Sequence, residues 1–216
     1  MTVTTLRASA AGLLLAFALA GCAHVPGVYT YEAKDAGGTK ATAFDATTYA
    51  DQAWTEKVVP AVRSGATDVT TVAAAIDKDP AAAGEQYGVQ AGTGSPYAYL
   101  VKGSGTVTKV DKTVPTGPMT VEVPQAGGKP LTVTIATGPV IAGTALRDGA
   151  GLKFGDFTNQ IEYADVANKL NDKAKTEVVA KIDLDAVTGK TVTFAGAFSA
   201  LAPGTIFLVP TELRAG

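Results

Sequence analysis

The hydrophobic residues of this chain change their spacing near Ser95, and this change limits the folds that the chain can adopt. Between Asp45 and Gly88 the apolar residues recur about every three or four positions, which is the spacing of amphipathic helices. Beyond Ser95 they alternate with polar residues, which is the spacing of half-buried strands. A chain that forms its helices first and its strands later is expected to be an α+β protein.

Three helices are predicted in the first of these regions. Each is expected to begin after an aspartate that caps its backbone N–H groups, namely Asp45, Asp68 and Asp79. The first helix reaches about Ser64, and Pro60 is expected to kink or end it. The second stops ahead of Pro80, and Gly88 closes the third.

Five strands are predicted in the second region, with one helix between the third and the fourth. The strands cover 97–111, 119–125, 130–143, 190–200 and 205–214, and the helix runs from Gly155 to about Lys181. Sharp bends or bulges are expected at three glycines, Gly103, Gly105 and Gly196. The order strand, strand, strand, helix, strand, strand is that of the five-stranded Greek-key OB barrel, although any small half-open barrel could share it. We therefore predict an α+β fold in which N-terminal helices pack on a five-stranded OB-like β-barrel.

The start of the chain carries an export signal. A lone Arg7 precedes an apolar run from Ala11 to Ala20, which is about half the length that a membrane-spanning helix needs. The sequence Leu-Ala-Gly-Cys at 19–22 resembles the bacterial lipoprotein box, so Cys22 is the expected lipid attachment site and new N-terminus. Cys22 is the only cysteine, which suits an oxidising compartment. The alternative is an ordinary signal peptide with a chance cysteine.

These features predict four regions along the chain. They are a lipoprotein signal peptide (1–21), a tether (22–44), an N-terminal helical region (45–94) and the OB-like barrel domain with its inserted helix (95–216). The folded part is expected in the periplasm or another extracytoplasmic space. A lipid thioether on Cys22 with several acyl chains, palmitate among them, would anchor it to the cell membrane or the outer membrane.

Composition and residue types argue against several functions. The formal net charge is −2, which offers no basic surface for nucleic acid. The one histidine, His24, lies two residues beyond Cys22, so histidine-based catalysis and histidine-based metal sites are not expected. We expect no cofactor and no enzymatic activity. The carboxylates of Asp156 and Glu162 leave open an acid-only hydrolase.

Polar residues concentrate between Arg147 and Tyr163, and these are the candidate ligand- or partner-binding residues. They are Arg147, Asp148, Asp156, Asn159, Gln160, Glu162 and Tyr163. An arginine fork beside mixed donors and acceptors suits a carboxylate or a pair of sugar hydroxyls, with Phe157, Tyr163, Tyr97 or Tyr99 as stacking faces. Two simpler interpretations remain open. Asp156 or Thr158 could merely cap a helix, or Arg147 could pair with Asp148, Asp156 or Glu162 to hold the helix on the barrel.

Several segments resemble an uncharacterised bacterial family of predicted periplasmic lipoproteins. The resemblance is carried by GPVIAGTALRD (138–148), FGDFTNQIEYADVANKLN (154–171), GSPYAYLVKGSGTV (94–107), LVPTEL (208–213) and the lipoprotein box. It implies no catalytic residue. Genes of that family often lie beside ABC importers for sugars, so the resemblance implies an accessory role in carbohydrate uptake.

The sequence therefore predicts a membrane-anchored, non-enzymatic binding module. Its expected partner is a component of a sugar ABC transporter or a small carbohydrate, and not a nucleic acid. The alternative is a structural envelope lipoprotein that contacts only protein partners.

Overall fold

The computed structural model describes residues 44–200 and 204–216. The predicted signal peptide, Cys22 and the tether as far as residue 43 lie outside the described residues, as do residues 201–203. The part from Phe44 to Gly216 is one compact unit. The boundary expected between residues 94 and 95 stays a prediction.

The first helical stretch is unbroken, although it changes its winding in the middle. It consists of α1 (Ala46–Ala53), a π-helical turn (Trp54–Val58) and α2 (Val59–Gly65). The carboxylate of Asp45 accepts two backbone N–H groups of the first turn, so this predicted cap is confirmed. Pro60 does not end the helix, because the π turn lies just before it and the N–H of Val59 donates to the carbonyl of Trp54.

Two shorter helices follow, and their predicted starts are confirmed. They are α3 (Val69–Lys78) and α4 (Pro80–Tyr87). Asp68 caps α3 and Asp79 caps α4, and each side chain accepts two backbone N–H groups. Gly88 follows the last residue of α4, as expected.

Within the described part of the chain, seven strands form one sheet. They are β1 (Thr67–Asp68), β2 (Gly88–Gln90), β3 (Tyr97–Val110), β4 (Pro118–Val123), β5 (Leu131–Ala136), β6 (Thr191–Ser199) and β7 (Phe207–Ala215). The long β3 pairs antiparallel with both β4 and β6, β4 pairs with β5, and β6 pairs with β7. A parallel pairing of Thr134 with Phe207 and Ile135 with Leu208 joins β5 to β7. The pairings from β3 through β4, β5, β7 and β6 thus lead back to β3.

All five predicted strands are present as β3 to β7, and two short strands in the predicted helical region, which were not predicted, also join the sheet. β1 pairs parallel with β3 at Val101 and Lys102, and β2 pairs antiparallel with β3 at Tyr97 to Tyr99. Each is two or three residues long, which is too short to show an alternating pattern. β1 ends at Asp68, the N-terminal cap of α3, and β2 begins at Gly88, the C-terminal cap of α4.

The region between β5 and β6 differs from its prediction at two places. It contains α5 (Ala145–Gly149), a 3₁₀ turn (Phe154–Asp156), α6 (Gln160–Lys173), a π-helical turn (Ala174–Val178) and a second 3₁₀ turn (Val179–Lys181). The predicted end near Lys181 is confirmed, but α6 starts at Gln160 and not at Gly155, because Phe157 and Asn159 have extended backbones. The third predicted strand, which is β5, ends at Ala136 and not at residue 143. Beyond it the chain turns, and the N–H of Gly138 donates to the carbonyl of Thr116.

The glycines of the sheet mark close approaches between strands as well as bends. The β6–β7 register shifts between Ala195 and Gly196, so the irregularity predicted at Gly196 is confirmed. In β3 the shift lies between Val107 and Lys109, and Gly105 pairs regularly with Val192. A Cβ at Gly105 would collide with the Glu122 carbonyl oxygen, so that position needs glycine for strand approach and not for a bend.

One hydrophobic cluster joins the helices to the sheet. In β4 and β5, Met119 opposite Ile135 and Val121 opposite Val133 are fully buried, while Thr120 and Thr134 opposite each other are half-buried. One face of this strand pair therefore points into the core and the other toward solvent.

Candidate functional site

The short helix α5 places two oppositely charged, buried side chains next to each other. Arg147 and Asp148 are only 8% and 7% exposed. The Nε and Nη2 groups of Arg147 both lie 2.8 Å from Oδ1 of Asp148, and Oγ1 of Thr144 donates to Oδ2 at 2.6 Å. Both oxygens of the carboxylate are therefore held from within the protein, which is what a buried charge requires.

Tyr163 on α6 completes this cluster. The guanidinium of Arg147 lies over its ring, and the Nη1 group donates to its carbonyl oxygen at 3.1 Å. Its hydroxyl reaches the carbonyl of Leu152 at 3.0 Å and Oδ1 of Asp148 at 3.3 Å, and its single proton serves one of them at a time. Burial raises the pKa of Tyr163 against the opposing effect of the Arg147 charge, so the phenol stays protonated.

The other four candidate residues serve their own local turns. Oδ1 of Asn159 accepts the N–H of Glu162, and Oε2 of Glu162 accepts the N–H of Thr158, which makes a reciprocal cap at the start of α6. Oδ2 of Asp156 accepts the N–H of Lys153, and Gln160 is exposed. Within the described ranges none of these four bonds to Arg147 or Asp148. The helix cap is Asn159, where Asp156 or Thr158 was expected.

Five aromatic rings form a continuous row next to this cluster, which we call the aromatic row. In order of contact they are Phe44, Tyr49, Phe157, Tyr163 and Phe154, with successive ring centroids 5.7, 5.1, 5.2 and 5.8 Å apart. The two ends are open to solvent, since Phe44 is 38% and Phe154 is 46% exposed. Ile161, on the first turn of α6, is 73% exposed.

The sequence predicted only part of this row. Phe157 and Tyr163 were expected as aromatic faces, and they do lie together. Tyr99 is fully buried and stacks on Phe198, with centroids 5.2 Å apart, and it is no part of the row. Phe44 and Phe154 were not expected here, because they are far apart in sequence and only contact with Phe157 and Tyr163 relates them.

The described residues offer no metal cluster and no membrane-spanning segment. No group of three or more His, Cys, Asp or Glu side chains is arranged to hold a metal ion in residues 44–200 and 204–216. No helix in these same ranges combines the length and apolarity that would cross a bilayer. The arrangement therefore offers a clamp between α5 and α6 and an apolar surface beside it.

A family model described as predicted periplasmic lipoprotein (DUF2291) matches residues 13–214. The chain belongs to this family. Members are described as periplasmic lipoproteins, so the resemblance found in the sequence and the extracytoplasmic location are confirmed. Among curated proteins, none matches this chain.

A solved structure supports the fold of this family member. It is the crystal structure of an OB-fold protein from Thermotoga maritima, with a TM-score of 0.66 and 21% sequence identity. The match covers 80% of this chain and 99% of the other. The family member is thus an α+β protein with an OB-fold relative, and at this identity the likeness extends to the fold alone.

Proposed function

We propose that the protein is a lipid-anchored, non-enzymatic binding module that docks a protein component of a sugar ABC importer through the aromatic row. The observation that carries the proposal is the exposure of Phe44, Phe154 and Ile161 around a set of rings that are otherwise packed. Cys22 would hold the module at the membrane, and the closed circuit of β3, β4, β5, β7 and β6 supports a five-stranded Greek-key barrel as its scaffold.

The physical chemistry of the row favours a protein partner. Aromatic side chains bury a large area with little loss of conformational freedom, and they are enriched at the centres of protein interfaces. Tyr163 and Phe157 fix the positions of their exposed neighbours, so the surface is ordered before a partner arrives. The exposed amide of Gln160 and the carboxylate of Asp156 lie close in sequence and supply a polar rim.

The geometry of the rings also argues against a flat sugar platform on this surface. Phe44 meets Phe157 with an interplanar angle of 84°, and Phe154 meets Tyr163 at 69°. Edge-to-face packing presents ring edges and corners, whereas a sugar stacks on an open ring face.

The test measures binding to purified components of a sugar importer from the native host, namely its solute-binding protein and its detergent-solubilised membrane complex. Ile161→Asp and Phe154→Ala are expected to weaken binding by about tenfold or more, because both remove exposed apolar surface from the interface. Val140→Asp is the matched control, since Val140 is 49% exposed and lies outside the row. Equal affinity for all three variants, or no binding by the wild-type protein to either component, would refute the proposal.

A structural envelope lipoprotein is the second candidate, and one observation favours it. Arg147, Asp148 and Tyr163 satisfy one another internally, so this cluster serves the fold without a ligand. Under this alternative the wild-type protein binds neither importer component, while loss of the protein from the native host weakens the envelope.

A further inference from the structure

A small cleft opens beside Asp148 and the first residue of α5, Ala145. It has a volume of about 180 Å³ and lies between the loop at 142–144, the end of β6 and the start of β7. Its apolar walls are Pro96, Phe207 and Val209, and its polar walls are Thr144, Asp148 and Ser199. At roughly 30 Å³ for each water, the space corresponds to about six waters, which is the size of a small organic molecule.

The polar walls of the cleft have more capacity to accept hydrogen bonds than to donate them. The charge of Asp148 is already balanced by two contacts from Arg147 to Oδ1, so the cleft does not require a cationic ligand. Oδ2 accepts only the hydroxyl of Thr144 among the described residues, which leaves it room for one further donor. A neutral ligand that carries hydroxyl groups fits this requirement.

Asn171 supports one wall of the cleft from behind. Asn171 on α6 is only 2% exposed, and its Nδ2 donates to the carbonyl of Gly143 at 2.9 Å. Gly143 is part of the cleft wall. Oδ1 of the same carboxamide has no hydrogen-bond partner among the described residues, although buried acceptors are nearly always paired. This oxygen has almost no accessible surface and Asn171 does not line the cleft, so Asn171 holds Gly143 in place and does not itself contact a ligand.

We propose that this cleft binds a small neutral polyhydroxy compound, no larger than a monosaccharide. One hydroxyl donates to Oδ2 of Asp148, and the others meet the hydroxyls of Thr144 and Ser199, which line the same cleft. The carbon skeleton packs on Phe207 and Val209. No ring of the aromatic row lines the cleft, so binding in the cleft can be measured independently of importer docking.

The test follows the backbone amide signals of the mature protein by NMR during titration with glycerol, D-xylose and D-glucose. At least one compound is expected to give saturable shifts at Gly143 and Ser199. Ala142→Phe places a large side chain in the cleft from an exposed wall position, so it is expected to weaken the binding by about tenfold or more. Ala126→Phe is the matched control on another exposed turn, and its affinity should stay within about twofold.

Three results would overturn the inference. The first is a set of shifts that remain linear and spread over the surface with all three compounds. The second is equal affinity for Ala142→Phe and Ala126→Phe. The third is saturable binding of methylammonium at Gly143 and Ser199 with none of the polyhydroxy compounds, because Asp148 would then act as an unbalanced charge.

Discussion

The guanidinium carbon of Arg147 lies 3.4 Å from the ring centroid of Tyr163, and the same guanidinium donates to the main-chain carbonyl of that tyrosine. Arg147 thus fixes both the side chain and the backbone of a residue on α6. Asp148, the neighbour of Arg147 on α5, pairs with the same guanidinium, so the buried ion pair fixes the group that links α5 to α6. This link is the clamp between the two helices.

Arg147→Met tests the clamp directly. It leaves the carboxylate of Asp148 buried without its cation, so the free energy of unfolding should fall by about 3 kcal/mol or more. Adding Asp148→Asn should recover part of this loss, because it removes the uncompensated charge. Urea denaturation of both variants gives the measurement.

Arg214→Ala is the control for the buried pair. Its partner is Glu212, the two side chains are 75% and 47% exposed, and the expected change is about 0–1 kcal/mol. A loss at Arg147→Met no greater than at Arg214→Ala would contradict the clamp.

Tyr163→Phe should change both the stability and its dependence on pH. Burial raises the pKa of Tyr163 above its ordinary 10.0, so the folded protein keeps a proton that the unfolded chain loses. The folded state therefore binds more protons above about pH 10, and its stability falls as the pH rises. Tyr163→Phe should cost about 1 kcal/mol at neutral pH and show a shallower alkaline decline.

The measurement is urea unfolding at a series of alkaline pH values. Burial raises the pKa of Tyr99 as well, so some alkaline decline should remain in the variant. If the free energy of unfolding of the variant falls with pH as steeply as that of the wild-type protein, Tyr163 does not contribute to the alkaline decline.

Asn159→Ala should destabilise the protein by about 1 kcal/mol, because Asn159 is the cap of α6. Gln160→Ala is its neighbour and control, since Gln160 is exposed and alanine is favourable in a helix. Thermal unfolding should therefore separate the two variants. If both variants have the same melting temperature as the wild-type protein, the polar residues at this turn have a role other than capping.

Gly196→Ala should be strongly destabilising, by about 2 kcal/mol or more, because the added Cβ would collide with the carbonyl oxygen of Val209 in β7. Gly155→Ala is the matched control, since nothing lies within 4 Å of a Cβ at that position. Denaturant midpoints give the comparison. A tolerated Gly196→Ala would mean that the bulge between β6 and β7 can shift.

Local signals made much of the fold predictable from sequence. Each capping aspartate acts on backbone groups two or three residues away, so Asp45, Asp68 and Asp79 could be recognised without knowledge of the tertiary structure. The alternation of β4 and β5 records which face is buried, and the structure follows it. Strands β1 and β2 lacked any such pattern, since β3 alone holds them.

The candidate site was predictable only in composition. Arg147, Asp148 and Tyr163 were identified as polar and aromatic residues near one another in sequence, but their mutual contacts depend on the angle at which α5 meets α6. Phe44 joins the row because α1 packs beside α6, and Asn171 faces Gly143 across a distance of 28 residues in sequence. Such contacts arise from tertiary packing, and they produce no recurring pattern of residues that could be recognised in the sequence.

The pairing of β3 with β6 has a consequence for the time at which the protein can fold. Ala98 finds its partner in Ser199, about a hundred residues later, and β7 follows only after that. A ribosome must therefore release nearly the whole chain before the central strand acquires both neighbours. An exported protein benefits from this delay, because a chain whose sheet is still incomplete during synthesis can enter a narrow export channel in extended form.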